Sequence, residues 1–226
     1  MSVVLHDYWR SSASYRVRIA LALKGIAYDR TSVDLVADVQ SSPEHLALNP
    51  QGLVPALQID GLVLTQSLAI IEYLDETRPE PPLLPPHPTA RARVRALSQA
   101  IASEIHPISN LRTLKRVEAL GGPEARVAWN RDTIASGMQA VEALLDHPAF
   151  AGLFCHGNRP TMADCTLIPQ LYNADRWGVD YRHLPRITAV ANTCAAVPAF
   201  YAAHPDRFDP ALVQVAASAG AVSTNG

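Results

Sequence analysis

Residues 3–33, VVLHDYWRSSASYRVRIALALKGIAYDRTSV, carry the pattern from which the rest of the fold follows. Val3-Val4-Leu5-His6-Asp7-Tyr8 is a short strand candidate. From Tyr15 to Lys24 apolar residues recur at helical spacing, and Gly25 ends the run. Tyr28 to Val33 then reads as a second strand. A strand, a helix and a strand in immediate succession favour parallel pairing through a right-handed crossover.

A polar stretch rich in Ser, Pro and Asn leads from this unit to Val54-Pro55-Ala56-Leu57-Gln58-Ile59 and Leu62-Val63-Leu64. Between them Asp60-Gly61 is a two-residue hairpin signal. A helix beginning near Ser67 closes the segment and turns Leu68, Ile71 and Leu74, or their neighbours, to a core. The order βαβ then ββα over residues 1–80 is a thioredoxin-like α/β arrangement. Six prolines between Pro79 and Pro88 exclude helix and central strand, so residues 81–88 read as an extended linker. Beyond them the periodicity is helical: Thr89 to Leu120, Glu124 to Leu145, Thr161 to Arg176 and Leu184 to Val197. Residues 89–210 are therefore expected to be an all-α domain, with Thr161-Met162-Ala163-Asp164 as a capping box. The tail, 211–226, is small and polar and is expected to be loosely held.

Composition narrows the function. The 226 residues are 48% hydrophobic and 18% charged, as in an ordinary globular protein. No apolar run is long enough to cross a bilayer, so no membrane partner is expected. The start, Met1 to Asp7, has neither the basic nor the apolar part of a secretory signal. Cys155, Cys165 and Cys194 are odd in number and widely spaced, which argues against disulfides and zinc and for a reducing cytoplasm. A net charge of −2 leaves no basic field for nucleic acid. Arg10, Arg16 and Arg18, with no acid between Asp7 and Asp29, point either to a small anionic ligand or to a solvated helix face.

Chemistry in such a domain sits at the turn into the first helix, where unpaired N–H groups and partial positive charge gather. The turn Trp9 to Arg16 has no cysteine, so a dithiol role is excluded. Its hydroxyls, Ser11 and Ser12, either cap the helix or stabilise a thiolate brought in by a cofactor. Val54-Pro55 suits a cis bond that offers backbone groups of a strand edge to a peptide. Gln66-Ser67 offers an amide, a hydroxyl and helix N–H groups to a carboxylate. Together these features suit a peptide-like anion carrying a thiol, and glutathione fits that description.

The stretch Arg10 to Gly25 resembles the signature of zeta-class glutathione transferases, which include maleylacetoacetate and maleylpyruvate isomerases. The likeness continues through Leu48 to Pro55, Gln66 to Leu74, Ile105 to Asn110 and Thr161 to Asp164, nearly the whole chain as far as Pro210. The resemblance implies a homodimer of two-domain subunits, a thioredoxin-like domain followed by an all-α domain. It implies glutathione contacts at Ser11, with Ser12 beside it, and at Gln40, Val54 (through backbone), Gln66, Ser67, His106 and Asn110. His106 and Asn110, four apart, are expected on one face of the first long helix of the second domain. The implied activity is cis–trans isomerisation of a maleyl diketo acid in aromatic-compound breakdown. The alternatives are a transferase conjugating glutathione to electrophiles such as α-halo acids, and a catalytically silent glutathione-binding module. Arg10 and Arg176 fall at substrate-facing family positions, while Arg112 resembles the maleylpyruvate isomerase branch; all three suit a dicarboxylate. Ala13 stands where zeta enzymes commonly carry Cys, so chemistry depending on that thiol is absent. Arg16 and Arg18 read as structural.

Overall fold

β1 (Val4–Asp7) lies parallel to β2 (Asp29–Ser32), and α1 (Ser12–Leu23) makes the crossover between them. The computed structural model describes residues 2–212, so the tail expectation for 213–226 lies outside it. β3 (Ala56–Ile59) runs antiparallel to β1 and to β4 (Leu62–Thr65), giving the order β2-β1-β3-β4. Asp60 and Gly61 have φ of 53° and 80°, as a primed hairpin turn requires.

One expectation for this region changes. β3 begins at Ala56 and is paired on both sides as far as Gln58, so no strand edge begins at Val54-Pro55; that dipeptide has the expected cis bond but precedes the ladder. The polar stretch is partly helical, with a 3₁₀ turn at Val39–Ser41 and α2 at Pro43–Leu48. Its signal was present: Ser42 accepts the His45 N–H at 3.2 Å and Pro43 opens the helix. Nor do Arg16 and Arg18 lie on a solvated face, being 2% and 0% exposed. All of α1 from Ser14 to Leu21 is buried, and α8 (Pro198–Ala202) packs on it. The Tyr15 hydroxyl donates to the Phe200 carbonyl at 3.4 Å, and Arg18 Nε to that of Ala203 at 3.1 Å. Arg18 also donates to Asp7 Oδ2 at 2.5 Å and to the Trp9 carbonyl at 2.8 Å, and Arg30 donates to Asp7 Oδ1. Buried Asp7 thus ties β1, α1 and β2 together.

The chain divides into two compact units: residues up to Ile70 with the segment from Pro198 onward, and Ile71–Val197. The division falls inside α3 (Ser67–Thr77), ahead of the proline-rich stretch. That stretch is docked rather than a free linker, with Leu83 and Leu84 buried. Leu83 donates its N–H to Asp75 Oδ1 at 2.6 Å, and its carbonyl accepts from Met162 N–H at 2.9 Å.

In the second unit no single helix runs from Thr89 to Leu120. α4 (Pro88–Gln99) passes into a π-helical segment, Ala100–Ile105, then a turn, and α5 starts afresh at Leu111. Pro107 has no N–H to continue the ladder, and Asn110 caps the new helix, its Oδ1 accepting from Arg112 N–H at 3.0 Å. α5 (Leu111–Leu145) bends at Gly122, φ 82° and ψ 178°, just before Pro123. α6 (Met162–Trp177) carries the expected capping box, and α7 (Pro185–Ala195) has its first N–H groups met by Glu142. Val94, Leu97, Ile134, Met138 and Leu167 are among its core residues. The three cysteines are buried and unbridged.

Candidate active site

Ser11 is the N-cap of α1: its φ and ψ are −69° and 122°, and Oγ accepts the Ser14 N–H at 3.2 Å. A hydroxyl has one proton and two lone pairs; with a lone pair given to the cap, the proton is what Ser11 retains for a ligand. No acid occupies the first turn of α1, so the positive end of the helix is not offset there. Ser12 is buried in that turn. Arg10, just ahead of the cap, lies over the Trp9 ring at 5.3 Å and the Tyr8 ring at 5.9 Å.

Val54 is brought to the same region by an apolar cluster with Tyr8 and Val33, against which Trp9 and Leu35 pack. Its loop is held from within. His45 Nε2 and Asn49 Nδ2 both bond the Leu53 carbonyl, at 2.9 and 2.8 Å, and Asn49 Oδ1 accepts from Gln51 N–H at 3.1 Å. Gly52 has φ of +62°, and a Cβ there would lie 3.3 Å from the Gln40 carbonyl oxygen, so Gln40 and this loop share a wall. Gln40 Nε2 donates to Asp38 Oδ1 at 2.6 Å, while its Oε1 is buried with no hydrogen-bond partner among the described residues.

From the loop the polar chain runs to α3. Gln66 donates from Nε2 to Gln51 Oε1 at 2.8 Å and has φ of +66°, a left-handed conformation costly for a residue with a Cβ. That twist sets up the helix start at Ser67. Ser67 is buried, and its Oγ accepts from Arg16 Nη1 at 3.2 Å. Ser11, Gln40, Val54, Gln66 and Ser67 are therefore all in the first unit, connected through few intermediaries. Arg16, Gln51, His45 and Asn49 support them. The sequence pointed to Arg16 only as one of three arginines suited to a small anion and otherwise as structural, and Gln51, His45 and Asn49 were not singled out.

The remaining candidates lie in the second unit. His106 ends the π-helical segment, and Asn110 begins α5 in an extended conformation, φ −71° and ψ 148°. They do not share one helix face as their spacing suggested, because Pro107 breaks the helix between them. Arg112 is exposed in the first turn of α5; Arg176 is exposed near the end of α6, over the Tyr172 ring at 5.9 Å. Among the described residues no helix is long and apolar enough to cross a membrane.

Residues 10–77 match the glutathione S-transferase N-terminal domain and residues 109–211 the C-terminal domain. A maleylacetoacetate isomerase of Rhizobium meliloti (strain 1021) is 59% identical over 209 residues, 92% of this chain and 98% of the relative. A bacterial maleyl pyruvate isomerase, a zeta-class glutathione S-transferase, superposes with a TM-score of 0.86 at 43% identity, over 90% of this chain and 97% of its own. The chain belongs to the glutathione S-transferase family, in its zeta class. A maleylacetoacetate isomerase of Methylobacterium extorquens AM1 with bound malonate and glutathione has the same TM-score, 0.86, at 41% identity, covering 90% of this chain and 97% of that one. As a glutathione transferase the chain has the thioredoxin-like first domain and all-α second domain that the family shares. The cradle from Ser11 to Ser67 falls within the N-terminal domain match. Arg112 and Arg176 fall within the C-terminal one.

Proposed function

We propose that this chain is a glutathione-dependent isomerase converting a maleyl diketo acid, maleylacetoacetate or maleylpyruvate, to its fumaryl isomer in the breakdown of aromatic compounds. The observation that carries the reading is the connected cradle of Ser11, Val54, Gln66 and Ser67 on a chain 59% identical to a maleylacetoacetate isomerase over nearly its whole length. The cradle fits glutathione chemically: a hydroxyl at a helix N-terminus for a thiolate, a loop backbone for a peptide, and a second helix N-terminus backed by a buried guanidinium for a carboxylate.

Glutathione, when bound, supplies the thiolate that adds reversibly to the conjugated double bond and so permits rotation about it. The work of the protein is to hold, charge and orient. Ser11 donates its hydroxyl proton to the sulfur and, with the N–H groups opening α1, favours the thiolate over the thiol. Gln66 and Ser67 take the γ-glutamyl carboxylate, Val54 the peptide backbone, and Ser12, Gln40, His106 and Asn110 complete the glutathione contacts. Arg10, Arg112 and Arg176 receive the carboxylates of the substrate, which guanidinium forks bind in pairs of hydrogen bonds. Malonate bound with glutathione in the Methylobacterium relative supports a dicarboxylate in this role. Glutathione is thus held mainly by the first domain, and the second, through Arg112 and Arg176, does most to select the substrate. The same reading includes a cytoplasmic homodimer.

Rates with maleylacetoacetate, maleylpyruvate and an α-halo acid, each with glutathione, test the reading. Isomerisation of either maleyl acid is expected. Conjugation alone would make the chain a general transferase, and glutathione binding without either reaction would make it a silent module. Arg112→Ala and Arg176→Ala should each lower the specificity constant for the acid by about ten- to a hundredfold, with glutathione binding unchanged. Equal losses with a neutral ester would assign both arginines to the fold.

A further inference from the structure

Arg16 is a buried cation with no acid beside it among the described residues. It is 2% exposed, its Nη1 donates to Ser67 Oγ at 3.2 Å, and its Nε and Nη2 have no hydrogen-bond partner among the described residues. Burial alone pushes its pKa down to about 10, with no carboxylate raising it again. Arg18, two residues on, shows the contrast: it too is buried, but it is bonded to Asp7. A guanidinium taken out of water without a counter-charge is costly, and in a folded protein it calls for an account.

Its hydrogen bond to Ser67 leads to the start of α3. With an Nη1–H directed onto Ser67 Oγ, a lone pair of that oxygen is occupied and the hydroxyl proton is left to donate elsewhere. Ile70 N–H is the first to bond within the helix, to the Gln66 carbonyl at 3.0 Å, so the N–H groups of residues 67–69 have no intrahelical partner. No acidic residue lies in this first turn. An oriented O–H donor, the positive end of an eleven-residue helix and a buried cation behind them therefore act together, all of one sign. Such a set is complete only when an anion arrives.

We propose that Arg16 is a positioning residue that orients and polarises Ser67, and supplies the buried counter-charge for the γ-glutamyl carboxylate of glutathione. The proposal rests on the glutathione-dependent reading above. It separates Arg16 from a structural arginine such as Arg18, because its charge is compensated by ligand rather than by the fold. Neutral replacement should accordingly leave the ligand-free protein at least as stable as wild type, while weakening recognition of one particular carboxylate.

The test is calorimetric titration of wild type, Arg16→Met and Arg16→Gln with two ligands: glutathione, and the analogue in which hydrogen replaces the γ-glutamyl α-carboxylate. Wild type should prefer glutathione by about ten- to a hundredfold. In the neutral variants that preference should shrink about tenfold, the analogue binding as before, and urea midpoints without ligand should not fall. Arg16→Lys, which keeps a charge but not the planar fork, should retain part of the preference. A folded neutral variant with the wild-type preference overturns the proposal. So does failure of both neutral variants to fold, since Arg16 would then serve the fold. If wild type itself does not bind glutathione, the functional reading fails and this proposal fails with it, an outcome distinct from loss of the Arg16 effect alone.

Discussion

Replacing Ser11 by Ala removes two things at once, and their separation tests the mechanism. The first is the cap: Oγ accepts the Ser14 N–H at 3.2 Å, and losing such a cap costs about 1 kcal/mol of stability. The second is the hydroxyl proton, free for a thiolate because an Oγ lone pair serves the cap. A hydrogen bond to a charged group contributes about 1.5–3 kcal/mol, and one pKa unit is about 1.4 kcal/mol. The bound thiol of glutathione should therefore titrate about 1–2 units higher in Ser11→Ala. Turnover at neutral pH should fall about ten- to a hundredfold, while the dissociation constant changes little because Val54, Gln66 and Ser67 are untouched. Ser11→Asp distinguishes the two roles. Asp caps a helix as well as Ser does but, ionised, has no proton to donate, so it should restore stability but not the thiol pKa. The assay is the ultraviolet absorbance of bound thiolate against pH, with urea unfolding of the same proteins. If the thiol pKa in Ser11→Ala matches wild type, Ser11 is a cap and nothing more, and the thiolate must be stabilised elsewhere.

Asp164, wholly buried, accepts Cys155 N–H at 2.7 Å, Thr161 N–H at 2.7 Å and the Thr161 hydroxyl at 2.8 Å. Asp164→Ala leaves two buried amides unmet at about 1–3 kcal/mol each, so urea unfolding should show a loss of about 3–5 kcal/mol. Asp164→Asn, which still accepts at Oδ1, should lose less; a loss below about 1 kcal/mol in the alanine variant would contradict this account. His204, edge-on to Tyr15 at 5.9 Å, has its pKa lowered by burial first and by Arg18 as well, partly offset by Asp206. The unfolded chain then takes up the proton more readily, so stability falls as pH drops through the unfolded value of about 6.5 towards the folded one. His204→Gln should flatten that fall. An unchanged acid-side slope in stability against pH would refute it.

Much of the fold was legible because its signals are local. The strand–helix–strand opening follows from periodicity, the hairpin from Asp60-Gly61, and the start of α6 from Thr161 and Asp164, each needing only neighbouring backbone. Part of the candidate site was legible for the same reason, since Ser11 and Ser67 announce helix starts. Where the reading went astray, a local rule was extended too far. A spacing of four put His106 and Asn110 on one face only if the helix was continuous, and Pro107 with a capping Asn110 ended it. The six prolines suggested a free linker, yet Asp75 and Met162 dock Leu83.

What the sequence by itself determined was the order of the elements, the caps and turns that bound them, and the residues whose chemistry suits a thiol-bearing peptide. Tertiary structure decided which charges lose their water. Arg10, Arg16 and Arg18 are alike in sequence, yet Arg10 rests on aromatic rings at the head of α1, Arg18 is paired with Asp7, and Arg16 is buried against Ser67 with no acid beside it among the described residues. That outcome depends in part on a segment 185 residues further on, where Phe200 meets Tyr15 and helps close over α1. Hydrogen-bonded periodicity is a property of near neighbours and can be read along the chain. Desolvation depends on everything that packs around a group, and so only the assembled fold determines which arginine is left to be neutralised by a ligand.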